Sequence, residues 1–149
     1  MKSGKGFELS QVLNYRTDLE RIKKEEFATA RQDLDAAIER LELEQRELAT
    51  LSQDFSGRQA SISSIEELRM YTAFFARKKE EIKDRQEMVE MLDRVLEERR
   101  GELVIATQDK KVLETLKEKK ELDFKRRQEL KEREFMDEIS VQKKGRKQQ

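Results

Sequence analysis

Chemistry in this chain would have to rest on carboxylates, because its 149 residues include neither histidine nor cysteine. Their absence excludes a disulfide framework, the usual zinc and transition-metal ligands, and a histidine-activated nucleophile. Adjacent carboxylates such as Glu80 and Glu81 are abundant, but a thin helical rod leaves them in water, where burial cannot tune them for acid–base work. None of the five glycines lies in a phosphate-binding motif. We therefore expect no enzyme, no cofactor and no metal site.

Basic runs in the second half raise the question of nucleic acid; they are Lys110-Lys111, Lys117–Lys120 and Lys125–Arg127. Acidic residues interleave with them, so residues 109–149 hold 14 basic and 10 acidic side chains. A net charge of +4 over this length is weak for binding phosphates. We expect a solvated helix face and no nucleic acid, and we keep a basic helical nucleic-acid binder as the alternative from a different class.

The composition favours long helices as the elements that carry these side chains. Charged residues make up 44% of the chain, hydrophobic residues only 35%, and the 33 basic residues balance the 33 acidic ones. This is typical of a coiled coil, and the absence of proline permits uninterrupted helices. No run approaches the roughly 18 apolar residues of a transmembrane helix. We expect a cytoplasmic protein with no transmembrane segment.

Two heptad series predict an all-α fold of two long helices. Ten of the fourteen positions in the second series are apolar, and eight of the nine in the first. Such seams require a partner helix. The second series is Leu68, Tyr71, Phe75, Lys78, Ile82, Arg85, Val89, Leu92, Leu96, Arg99, Leu103, Ala106, Lys110 and Leu113. The first is Phe27, Ala30, Leu34, Ala37, Leu41, Glu44, Leu48, Leu51 and Phe55.

A break between the two series predicts a turn. Gly57 suits a left-handed helix end, and Ser63 and Ser64 each begin a capping-box pattern. A short connection makes the helices antiparallel neighbours. We therefore predict one coiled-coil domain over residues 1–149: a helix over about 7–56, a turn at 57–63, a helix over about 64–140 and a basic disordered tail at 141–149.

One register satisfies both predicted seams, with residue i facing roughly residue 119 − i. It places Leu51 against Leu68, and the polar seam residue Glu44 against Phe75. Phe7 then falls opposite about Val112, so residues 113–140 overhang as a helix with no partner in the hairpin. The predicted fold is a long antiparallel two-helix coiled coil with an overhanging C-terminal helix.

Three segments, in this order and spacing, resemble the flagellar FliJ family, the coiled-coil component of the bacterial flagellar type III export apparatus. They are Phe7-x-Leu9-x-x-Val12-Leu13-x-Tyr15-Arg16-x-x-x-Glu20, then Tyr71-x-x-Phe74, then Asp109-Lys110-Lys111-Val112-Leu113-Glu114-x-Leu116-Lys117-Glu118-Lys119 with the later Asp137-Glu138-Ile139. The resemblance covers nearly the whole chain. It implies a helical hairpin similar to the central stalk of rotary ATP synthases.

The resemblance also implies three partners: the hexameric export ATPase, the cytoplasmic domain of the export gate membrane protein, and export chaperones. It places the protein at the inner face of the cell membrane, peripherally associated with the flagellar base. The equivalent stalk of a virulence type III secretion system is the alternative within this class.

Two sets of site residues follow from the resemblance and the register together. Phe74 matches an aromatic residue that contributes to gate binding in the family, while Lys78 and Arg85 stand where the family pattern has apolar and histidine types. The predicted gate-binding residues are Tyr71, Phe74, Lys78 and Arg85. We assign the overhang to the ATPase ring, and the predicted ring-binding residues are Lys110, Lys111, Leu113, Leu116, Phe124 and Arg127.

Overall fold

The computed structural model describes residues 8–147, and nearly all of them are helical. Helix α1 spans Ser10–Arg58, a short 3-10 helix spans Gln59–Ser61, and helix α2 spans Ile65–Lys147. No strand occurs in this part of the chain. The two long helices confirm the predicted all-α helical hairpin. The predicted start of the first helix at Phe7 lies outside the described residues.

The described residues group into two compact units, whereas the sequence predicts one domain. The first unit is Arg21–Val104, which contains the turn and the helix segments on either side of it. The second combines residues 8–20 of the chain with residues 105–147. Each unit therefore pairs a segment of α1 with a segment of α2.

Burial in the Arg21–Val104 unit follows the predicted seams. Every seam position from Phe27 to Phe55 is buried or half-buried, and so is every one from Tyr71 to Leu103. Ala30, Leu34 and Leu96 form the buried cluster at the centre of this seam. The heptad pattern works here because it keeps one apolar stripe of each helix facing the other.

The register differs from the predicted one by a single heptad. Ala30 clusters with Leu96, and the rings of Phe55 and Tyr71 lie 5.1 Å apart, so residue i faces about residue 126 − i. The predicted value of 119 is wrong. A slip of seven residues again places seam positions against seam positions, so the heptad pattern alone fits both registers.

The turn explains the slip, because α1 runs through Gly57 and ends at Arg58. No described residue has a positive φ, so the predicted left-handed cap at Gly57 is wrong. The backbone N–H of Ile62 and the Ser61 hydroxyl instead donate to the Arg58 carbonyl, over 3.1 and 2.9 Å. Ser64 then caps α2, its Oγ accepting the N–H of Glu66 at 3.2 Å.

The C-terminal segment is also more helical than predicted. α2 continues to Lys147, so the predicted end near residue 140 and the disordered tail do not hold for 141–147. Lys143, Lys144 and Arg146 fall near the helix C-terminus, where positive charge interacts favourably with the helix dipole. Residues 148 and 149 lie outside the described part of the chain.

Candidate partner-binding surfaces

The turn end of the Arg21–Val104 unit is closed by aromatic packing that includes the first predicted gate residue. The ring of Phe55 packs on Tyr71 at 5.1 Å and meets Phe75 edge-on at 5.7 Å. The Tyr71 hydroxyl donates to Asp54 Oδ2 at 3.0 Å. Burial first, and then this hydrogen bond, raises the pKa of Tyr71. Tyr71 is therefore a seam residue that joins the two helices.

Lys78 lies in the seam and is held by carboxylates of α1. Its side chain is 14% exposed, and its Nζ donates to Glu44 at 2.8 Å and to Glu47. These hydrogen bonds raise the pKa of Lys78, and the bond from Lys78 lowers the pKa of Glu44. The 119 register predicted that Glu44 faces Phe75. In the structure Glu44 instead bonds to Lys78 across the seam. Arg85, the fourth predicted gate residue, is half-buried in the same seam.

Phe74 differs from the other predicted gate residues because it lies beside the seam and is exposed. The guanidinium of Arg77 stacks over its ring, 4.8 Å from the centroid. Arginine and aromatic residues, phenylalanine included, are enriched at protein–protein interfaces relative to the rest of the surface. Of the four predicted gate residues, Phe74 is the one whose side chain is exposed.

The second unit pairs the beginning of α1 with α2 through charged residues. Lys110 Nζ donates to Glu20 Oε1 at 3.2 Å, which raises the pKa of Lys110, and Glu20 is itself buried. Arg16 Nη1 donates to Asp109 Oδ2 at 3.3 Å. These pairs tie the two helix segments together close to the start of α1.

The overhang begins later than predicted because of the shifted register. Leu113 and Leu116 are half-buried, and Lys110 is paired with α1, so these three residues belong to the paired part of the second unit. Their predicted lack of a partner in the hairpin is wrong. Lys111 is exposed at its edge. From residue 118 to residue 146 every residue except Ile139 is exposed.

Exposed apolar side chains occur all around the overhang, which we define as residues 118–147. Phe124 is 50% exposed, Leu130 54% and Met136 63%. Spaced six residues apart, these three side chains leave the helix in directions about 120° apart, because each residue turns the helix by about 100°. Arg127 is exposed among them. Leu130 and Met136 were not among the predicted site residues. Each is a large apolar residue in a highly charged segment, and this pattern could have identified them from the sequence.

The part of the chain that the structure describes contains no group of three or more acidic residues placed to hold a metal ion. Over the same residues, no helix is long and apolar enough to cross a membrane.

The fold places the chain in the class of all-α helical hairpins. More specifically, the chain belongs to the flagellar FliJ family, since the family model described as "Flagellar FliJ protein" matches residues 5–149. Membership makes it a component of flagellar type III export. No curated protein matches the chain. No solved structure matches it either.

Proposed function

We propose that the protein is a stalk that binds the hexameric flagellar export ATPase and couples it to the cytoplasmic domain of the export gate. In this role it also handles export chaperones and works at the inner face of the cell membrane at the flagellar base. One observation carries the proposal: about 30 residues of α2 extend past the paired part of the second unit, a length of roughly 45 Å. Their apolar side chains leave the helix in every direction.

The distribution of these side chains favours a partner that surrounds the helix. A helix lying on a flat surface needs one apolar stripe, with residues three and four apart. Phe124, Leu130 and Met136 instead divide the circumference into thirds, as an occupant of a pore requires. Arg127 and Lys111 supply exposed positive charge for acidic groups around such a pore. Lys110, Leu113 and Leu116 lie where the paired helices end and would meet the pore mouth.

Truncation after Lys117 tests the ring-binding role, because it removes the overhang and leaves the paired segments of both units intact. We expect the truncated chain to keep its thermal unfolding transition and to lose both stimulation of the ATPase and promotion of its hexamer. Full stimulation by a chain that retains its fold would place the ring-binding site outside the overhang. Binding of the full chain should also weaken as salt is raised, because exposed charge pairs are screened.

Phe74 carries the proposed contact with the export gate, and Met70 offers a matched control one helical turn away. Both side chains are exposed, so replacing either with alanine should leave the seam undisturbed. We expect Phe74→Ala to weaken binding to the isolated cytoplasmic domain of the gate by about thirtyfold, since truncation of a hot-spot residue costs about 2 kcal/mol or more. Met70→Ala should change it less than about threefold. Equal effects of the two changes on binding would show that Phe74 is not a specific contact with the export gate.

A further inference from the structure

One groove in the Arg21–Val104 unit takes no part in the proposed stalk function. It runs beside the seam between α1 and α2, and we call it the Val95 groove. Ala30 is buried at its base, and Val95 of α2 is half-buried in its wall. Its lining residues are Ile22, Glu25, Glu26, Thr29, Ala30, Asp33, Val95 and Arg99.

The apolar wall of this groove continues along α2 in methionines. Met91 and Met88 precede Val95 by four and seven residues, which places all three on one face of the helix. Met88 is 43% exposed and Met91 is 48% exposed, so this side of α2 presents large apolar side chains to water. Methionine side chains are flexible and polarizable, and they recur on surfaces that bind partner helices.

The two flanks of the seam carry opposite charge. Of eight positions on the groove-side flank, five are acidic and one is basic, whereas of eight positions on the other flank, four are basic and one is acidic. The groove-side positions are Glu26, Asp33, Arg40, Glu47, Glu81, Met88, Val95 and Glu102. The positions on the other flank are Lys24, Arg31, Ile38, Gln45, Lys79, Gln86, Asp93 and Arg100.

Several of the groove-side acids are engaged within the hairpin, and one is available. Glu26 and Glu102 both accept hydrogen bonds from Lys23, at 3.2 and 3.4 Å. Burial acts to raise the pKa of Glu102, but hydrogen bonds from Lys23 and Arg99 hold it below its ordinary value. Asp33 is exposed on the groove wall and forms no ion pair with any residue from 8 to 147.

We infer that the Val95 groove binds an amphipathic, basic α-helix of a partner protein. The apolar stripe of that helix would cover Ile22, Val95 and Met91, and its lysines or arginines would meet Asp33 and the neighbouring carboxylates. The groove has an apolar floor and carboxylates along its α1 side, and Arg99 on its α2 side is already bonded to Glu102. This arrangement fits a helix with these two faces, as in other helix-in-groove complexes. An acidic helix would lack the positive charge that the carboxylates attract, and a flat basic surface would lack the apolar stripe that covers the groove floor. This inference does not rest on the ring or gate contacts.

The five methionines, Met1, Met70, Met88, Met91 and Met136, make the inference directly testable. The probe is an 18-residue helical peptide with leucine on one stripe and lysine elsewhere, added to the full chain labelled with ¹³C at its methionine methyls. We expect the Met88 and Met91 signals to shift while Met136 stays in place. The same peptide with glutamate in place of lysine should leave all signals unchanged.

Matched charge reversals complete the test. Asp33→Lys changes a residue on the groove wall, and Asp35→Lys changes a residue that is also exposed but lies on another face of α1. We expect Asp33→Lys to weaken binding of the lysine peptide by about five- to tenfold, and Asp35→Lys to weaken it by less than about twofold. The inference fails if both reversals act equally, if the glutamate peptide binds as well, or if no signal shifts at about 1 mM peptide. It also fails if Met88 and Met91 respond to protein concentration alone, since the occupant is then a second copy of this chain.

Discussion

Replacing Leu96 with alanine probes the packing that holds the two helices together. Leu96 is 6% exposed and lies against Ala30 and Leu34 in the buried cluster. The change removes three carbon atoms, which is about 2.5 kcal/mol of burial at about 0.8 kcal/mol per methylene. Ala30 is too small to fill the gap, so a cavity cost brings the total to about 3 kcal/mol.

The measurement is urea unfolding followed by circular dichroism at 222 nm. We expect the midpoint to fall while the slope with urea stays constant, which reports a loss of stability rather than a change in the unfolded chain. Met91→Ala is the control, because this side chain is 48% exposed and should cost less than about 1 kcal/mol. A Leu96→Ala effect no larger than that of Met91→Ala would contradict the register, since the 119 alignment places Leu96 opposite Lys23.

Three further predictions concern the turn, the register and the polar seam. Gly57→Ala should stabilise the protein by about 0.5–1 kcal/mol, because this glycine is helical and a methyl group there meets nothing within 4 Å. A loss of stability in thermal unfolding would instead indicate that Gly57 forms a left-handed cap. Cysteines at positions 55 and 71, replacing Phe55 and Tyr71, should oxidise to a disulfide within one chain faster than cysteines replacing Leu48 and Tyr71; the reverse order would support the 119 register. The pKa of Glu44 is lowered by a hydrogen bond from the seam lysine, so its stabilising contribution is present above its ordinary pKa and is lost as the pH falls through the lowered value. Glu44→Gln should therefore reduce the fall in melting temperature between pH 5 and about pH 2.5, and an unchanged fall would remove this residue from the acid response.

The seam was predictable from sequence because burial in a two-helix coiled coil repeats with the heptad. Ala30, Leu34 and Leu96 all fall on the predicted stripes and are buried. The register was not predictable in the same way, because a slip of one heptad keeps apolar residues opposite apolar residues. The turn decides between the two registers, and Gly57 is compatible with either a helix interior or a helix end.

The errors in the candidate sites follow from that one slip. Moving the register from 119 to about 126 places Lys78 next to Glu47 and places Leu113 and Leu116 beside the start of α1. Phe124 and Arg127 remain in the overhang in either register, because both are beyond the reach of α1. Exposure of Phe74 was also predictable, since its position next to Phe75 is one step off the seam.

Site-specific photo-cross-linking tests the stalk account most directly. A benzophenone amino acid is placed at position 124, 130 or 136, which leave the overhang in directions about 120° apart. Position 38 serves as the control, because Ile38 lies on the other flank of the seam. Irradiation with the assembled ATPase hexamer should give cross-links to the ATPase from all three overhang positions and none from position 38. Cross-links from one overhang position alone would show side-on binding, and cross-links from position 38 alone would place the ATPase elsewhere on the hairpin; either result contradicts a helix enclosed by the ring.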